Sequence, residues 1–302
     1  MRALLSTLIS FCSFACIANA LFDGSSVDFA QFPFFATVIF QNSAHTDTWL
    51  CGASLLNSTL LVTAGHCVAH ASSAYIYLNS SVWLSPYVPS QSLYSDIFIL
   101  DPSYRGALTF FEHDFALVVL PFPINTTEPL VPATAHDWAF VSSCDLLEVV
   151  GRGQSCGGGC LTSTLQHAQL PKIPKSSCIM SSLKHFSTEW YPWDVGNDLC
   201  LGYTNACAQS PPKPISTCPG DSGGPLFLNG TLYGIVSRGD SASCGQSRRS
   251  SIFASAFEQN NQRFLMDALA GNLQAFQASS ALQNKQQTFQ VFIPLTILFL
   301  IL

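Results

Sequence analysis

Short runs of apolar, β-branched and aromatic residues, broken by turn-forming residues, dominate the chain as far as residue 256. The runs "FFATVIF" (34–40), "ASLLNSTLLVTAG" (53–65), "SAYIYL" (73–78), "SDIFIL" (95–100) and "FALVVL" (115–120) form a first series. A second follows in "LLEVVG" (146–151), "GPLFLNGTLYGIVS" (224–237) and "SIFASA" (251–256). Runs of this length and composition predict strands, and their spacing predicts an all-β barrel or sandwich. The Pro-rich stretch "PFPINTTEPLVPATAHD" (121–137) divides the series and reads as a connection between two lobes of about 34–120 and 138–256. In "FEQNNQRFLMDAL" (257–269), Phe257, Phe264, Leu265 and Leu269 fall at roughly helical spacing, which predicts one terminal helix. There is no internal repeat.

The two ends follow different patterns. Residues 1–20 carry Arg2, an apolar run and Ala18-Asn19-Ala20, the anatomy of a signal peptide cleaved after Ala20. At the other end the small trio Ser279-Ser280-Ala281 precedes the polar spacer "LQNKQQTFQ" and the twelve apolar residues "VFIPLTILFLIL". A span would need ~20 such residues. The layout is that of a GPI-attachment signal. It makes 271–281 a linker with a candidate lipid site at Ser279, 282–302 a removed tail, and the membrane a partner through lipid. A tail helix packed on the domain, or a short membrane anchor, is the alternative.

Composition narrows the function classes. The chain has 302 residues, 10% of them charged, with a net charge of −6. Arg248-Arg249 is its one adjacent basic pair, so nucleic acid is excluded as a partner. Of twelve cysteines, two (Cys12 and Cys16) leave with the signal, and the even remainder in an oxidising compartment predicts disulfides. Sequons at Asn57, Asn79, Asn125 and Asn229 agree with export.

Three motifs carry the chemistry: "LVTAGHC" (61–67), "HDFALVVL" (113–120) and "CPGDSGGP" (218–225). They supply His66, Asp114 and Ser222. A serine hydroxyl is a poor nucleophile until an imidazole takes its proton, and the imidazole needs a carboxylate to fix its tautomer. Glycines beside the serine let backbone N–H groups face a developing oxyanion. His66 and His70 are four apart, but no Glu follows His66 to complete a zincin motif, and no metal or cofactor is expected. Asp96 and Asp101 are rival carboxylates.

In this order the motifs resemble the trypsin/chymotrypsin family of serine proteases (peptidase family S1), over about residues 21–270. The resemblance implies two six-stranded antiparallel Greek-key barrels, a C-terminal helix and an active site in the cleft between the barrels. It implies an endopeptidase acting on proteins or peptides, subject to protein inhibitors. His66 would be the general base, Asp114 its orienting carboxylate and Ser222 the nucleophile, with the N–H groups of Gly220 and Ser222 as oxyanion hole. Cys51–Cys67, Cys178–Cys200 and Cys218–Cys244 would be bridged. Cys144, Cys156, Cys160 and Cys207 allow three pairings, with a bridge from Cys156 or Cys160 to Cys207 preferred.

By the same resemblance the specificity pocket falls on Ser216, Ser237, Gly239 and Ser251. Ser216 replaces the Asp that selects Lys or Arg, so an apolar, aromatic or small substrate residue is expected. Ser251 stands where Gly is common and would narrow the pocket, and Arg249 could turn inward. Arg238 and Arg152 stand where relatives carry Trp, which implies either solvated arginines or an altered outer subsite. In the family a freed N-terminal amine pairs with the Asp beside the catalytic Ser, here Asp221. Signal cleavage would itself expose Leu21, so the enzyme is expected to emerge active without a propeptide. The competing expectation is a protease-fold binding protein with little or no activity.

Overall fold

The computed structural model describes residues 21, 24–78, 80, 92–109, 111–125, 128–154, 161–173, 198–201, 215–238 and 251–272, without the side chains of 107, 109, 198 and 200. After a short strand β1 (Ser25–Val27), the first lobe runs through β2 (Phe35–Gln41), β3 (Thr48–Leu55) and β4 (Leu60–Thr63). It continues through the one-turn helix α1 (Gly65–Val68), β5 (Ser73–Leu78), β6 (Leu93–Ser95), β7 (Phe98–Leu100) and β8 (Ala116–Val119). Strand order is β6-β5-β2-β3-β4-β8-β7, all antiparallel.

The two edge strands of that order, β6 and β7, are separated in sequence only by Asp96 and Ile97. One bent strand therefore forms both edges, and the sheet closes on itself. The bend is held by Val119 N–H donating to Ile97 O at 3.0 Å and Ser95 Oγ donating to Val119 O at 2.6 Å. The seven segments amount to six strands, and closure removes the edges that would otherwise invite aggregation. The run at 95–100 is thus not one straight strand, because a bend there lets it pair on both sides.

The second lobe begins at β9 (Val131–Pro132) and the short helix α2 (Ala135–Phe140), whose Thr134 and Asp137 form a reciprocal cap. Then come β10 (Leu146–Gly151), β11 (Leu165–Pro171), β12 (Asp198–Leu201), β13 (Pro225–Leu228), β14 (Thr231–Arg238) and β15 (Ser251–Ser255). The order is β1-β11-β10-β13-β14-β15-β12, with β9 parallel to β14. A bridge between Lys172 and Leu201 joins the end of β11 to β12, so these six closing strands make a second barrel, with β1 and β9 added outside it. The turn Asn229-Gly230 links β13 to β14.

The core follows from the strand patterns. All seven residues of β2 are buried, as a strand central to a closed barrel requires. The barrels meet through aromatic side chains: Phe227 of β13 packs edge-on against Phe34 at 5.1 Å and Phe32 at 5.8 Å. The helix α3 (Gln259–Leu269) buries Phe264, Leu265 and Ala268, and Glu258 caps it by accepting from Asn260 N and Asn261 N. Among the described residues no helix is long and apolar enough to cross a membrane.

Candidate active site

His66 is the second residue of α1, and two tethers fix that turn. The Cys51–Cys67 disulfide ties it to β3, and Trp49 Nε1 donates to Cys67 O at 2.8 Å. Asp114 precedes β8 on a tight backbone turn in which Phe115 N–H donates to His113 O at 2.7 Å. Its side chain is fully buried yet well satisfied. Asp114 Oδ1 accepts from His66 N at 2.8 Å, and Oδ2 accepts from His66 Nδ1 at 2.8 Å and Ser237 Oγ at 2.6 Å. A carboxylate only accepts, so Nδ1 carries the proton and Nε2 keeps a lone pair. Burial alone would lower the His66 pKa. The Asp114 carboxylate overrides it, by charge and hydrogen bond, and holds the pKa above 6.5, while nearby Arg238 pulls it down.

Ser222 sits on a loop shaped by its neighbours. Cys218–Asp221 is a type II turn, with Pro219 at its second position, Gly220 at its third with φ +94°, and Asp221 N–H donating to Cys218 O at 3.0 Å. Asp221 is buried and accepts from Gly153 N at 2.8 Å, Cys218 N at 2.9 Å and the backbone N–H of Leu21. Burial without a cation pushes its pKa up to about 6 despite these bonds. Gly223, at φ +78°, lies so close to Thr63, Ala64 and Gly52 that no Cβ fits. That contact, with Gly52 N–H donating to Ser222 O at 2.7 Å, presses the serine loop onto the segment bearing His66.

The loop leaves two donors over. Asp221, Gly223 and Gly224 N–H groups donate to Cys218 O, Val236 O and Asp221 O. The Gly220 and Ser222 N–H groups have no protein acceptor among the described residues. Among the described residues the hydrogen bond of the His66 ring goes to Asp114, and none joins it to the Ser222 hydroxyl.

A cleft of about 220 Å³ opens beside Ser222, lined by Thr217, Cys218, Pro219, Val236, Ser237 and Arg238. Ser251 is buried behind it, its Oγ accepting from Thr217 N at 3.0 Å. Ser216 is half-buried next to Thr217. Gly239, Arg249, Cys178, Cys244, Cys156, Cys160, Cys207, Asn79 and Ser279 lie outside the described residues, as does the Cys200 side chain. Cys144 and Cys218 are disulfide-bonded, to cysteines whose side chains are not described. Asn125 and Asn229 are exposed, whereas Asn57 Oδ1 is engaged by Thr59 N at 2.8 Å. Cys51, His66 and Cys67 lie within 4.8 Å of one another, but the disulfide occupies both sulfurs and leaves no thiolate for a metal.

Two arginines share an expectation and differ in fact. Arg238 lines the cleft. Arg152 neither faces solvent nor forms a subsite: it is 1% exposed, stacks on Phe29 and donates to Thr162 O, Ser163 O and Ser80 O. Burial lowers its pKa to about 10. Ser237 lines the cleft, and its hydroxyl is also the third donor to Asp114, which no local sequence signal marks.

Known proteins resemble this arrangement over most of its length. A family model described as Trypsin matches residues 21–261. The chain is 28% identical over 228 residues to the thrombin-like enzyme cerastocytin of Cerastes cerastes, covering 74% of this chain and 79% of that one. It is 27% identical over 239 residues to trypsin of Sus scrofa, covering 78% and 92%. A solved HL collagenase structure has the same fold, with a TM-score of 0.64 at 23% identity over 82% of this chain and 98% of that chain. Two closed barrels meeting at a histidine–carboxylate pair, and a family match over four-fifths of the chain, make it a member of the trypsin family, the chymotrypsin-like serine endopeptidases.

Proposed function

We propose that Ser222, His66 and Asp114 form the catalytic triad of a secreted endopeptidase. Ser222 Oγ adds to the scissile carbonyl carbon while its proton passes to His66 Nε2. The resulting oxyanion takes the two spare N–H groups of Gly220 and Ser222. Collapse breaks the C–N bond, and His66 returns the proton to the leaving amine. Water then attacks the acyl-enzyme by the same route, regenerating Ser222. The observation that carries this reading is the pairing of a buried, three-donor Asp114 with His66 beside two unused N–H groups. Asp114 stabilises the imidazolium, and each oxyanion donor contributes on the order of 3 kcal/mol.

The described cleft wall holds no carboxylate, so Lys or Arg would be buried there without a partner, and an apolar, aromatic or small residue is the expected occupant. Activation follows from Asp221. Leu21 is fully buried in the second barrel and its N–H meets that carboxylate. Cleavage between Ala20 and Leu21 turns this N–H into an ammonium, which supplies the cation the buried Asp221 lacks and steadies the Gly220 turn. Retention at the cell surface would come from a lipid at Ser279. Loss of membrane-bound protein on treatment with phosphatidylinositol-specific phospholipase tests that, and no release overturns it.

A second reading, a binding protein with little or no activity, draws on the missing Ser222–His66 hydrogen bond. Such bonds are often long before substrate arrives. Pre-steady-state hydrolysis of a p-nitrophenyl ester separates the two. A burst equal to the enzyme concentration, absent in Ser222→Ala, is the expected result. Folded protein without a burst or turnover sinks the catalytic reading.

A further inference from the structure

Within the proposed protease, the cleft holds a charge that the hydrolytic steps do not use. Among its described lining residues Thr217, Cys218, Pro219, Ser222, Val236 and Ser237 are neutral, and Arg238 is the one charged group. Its place is set by β14: it follows Ser237, whose hydroxyl is bonded to Asp114. Arg238 Nη1 lies 3.3 Å from Ser237 Oγ and 3.5 Å from Phe111 O. Phe111 in turn packs edge-on against the His66 ring at 6.1 Å. The guanidinium thus reaches from the second barrel to the Phe111 backbone of the first, in the cleft that Ser222 also lines. Its field reaches His66.

We propose that Arg238 is a specificity-determining residue that selects peptides carrying Asp or Glu within about three residues of the scissile bond. The reach follows from extended-chain geometry. Successive residues advance about 3.3 Å, and Ser222 and Arg238 line one small cleft, so a carboxylate further along would pass beyond it. A guanidinium is a planar fork matched to a carboxylate, which makes the preference one for Asp or Glu rather than for polarity in general. The net charge of −6 works against acidic substrates at long range, so any acidic preference must arise locally.

The proposal rests on the catalytic reading, and one experiment keeps the two apart. Full-length secreted protein is given fluorogenic peptides in which each position flanking the cleaved bond carries either Glu or Gln. The expected result is a kcat/KM roughly three- to tenfold higher for Glu at one position, as a half-buried ion pair provides. Arg238→Lys, which keeps the charge but loses the fork, keeps only part of the preference, Arg238→Gln abolishes it, and Arg238→Glu turns it toward Lys-bearing peptides. A merely structural Arg238 would lower the rates on Glu and Gln peptides equally, and that overturns the proposal. So do equal rates on the wild type at every position, a result that stands even where a variant does not fold. Cleavage without a Glu preference overturns this inference alone. Failure to cleave any peptide, with Ser222 unreactive, overturns the catalytic reading and this inference together.

Discussion

At the scale of the residue, burial and hydrogen bonding set the protonation of His66 and of the buried Asp221. In the proposed mechanism His66 must be neutral to accept the serine proton, and Asp114 holds its pKa above 6.5. Activity should therefore fall as pH drops through that value. The acid limb of kcat/KM is predicted to lie above 6.5, and to move higher in Arg238→Gln because that cation opposes protonation. A pH–rate profile checks both; an unchanged limb in the variant contradicts the second. Asp101 works on stability instead. It is 1% exposed, one oxygen has no partner among the described residues, and burial lifts its pKa from 3.8 to about 6. A raised carboxyl pKa means the folded state binds this proton more tightly than the unfolded chain does. Its cost is therefore absent below about pH 4 and complete above about pH 6. Asp101→Asn should stabilise by about 1–2 kcal/mol at pH 7 and by little at pH 4, read as the shift in denaturant midpoint at each pH. His66, Asp114 and Ser222 each sit in a motif of their own, and the His66–Asp114 pairing is the part of that reading visible as a contact. The Ser237–Asp114 bond and the burial of Arg152 were not legible in the sequence, since both depend on which residues the barrels bring across from distant segments.

At the scale of the element, most strands of the first barrel could be read from apolar runs, and β5 and β10 coincide with the runs at 73–78 and 146–151. Sequence failed where pairing rather than composition makes the strand. In "LQHAQLP" β11 buries Gln166 and leaves His167 half-exposed, so it carries no clean alternation, yet it pairs with both β10 and β1. The two-residue bend between β6 and β7 is likewise a product of barrel closure. The serine loop itself is a packing element. Gly223→Ala would set a methyl against Thr63 Oγ1 and Gly52 O at a φ of +78°. A loss of roughly 3 kcal/mol or more in unfolding free energy is expected, with a matching drop in the ester burst. Full stability in that variant would contradict the tight seating of the loop on α1.

At the scale of the whole molecule, two barrels, a spanning disulfide loop and a buried N-terminal segment converge on one cleft. Opening the Cys51–Cys67 bridge, which closes a loop of 16 residues in sequence separation, should cost about 3 kcal/mol in the Cys51→Ser/Cys67→Ser pair, measured by thermal unfolding. Leu21 joins the core of the second barrel while its N–H reaches Asp221, so the segment at Leu21 and the serine loop are one structure. On the proposed start at Leu21, a mature chain with one extra residue before it should lose activity by about tenfold or more, since the added residue would displace the ammonium from a site closed to solvent. The most direct test of the catalytic assignment is peptide mapping by mass spectrometry after reaction of the folded protein with a fluorophosphonate. One adduct, on Ser222, lost in His66→Ala and in Ser222→Ala, is predicted. No adduct on folded protein, or an adduct on another residue, would contradict it.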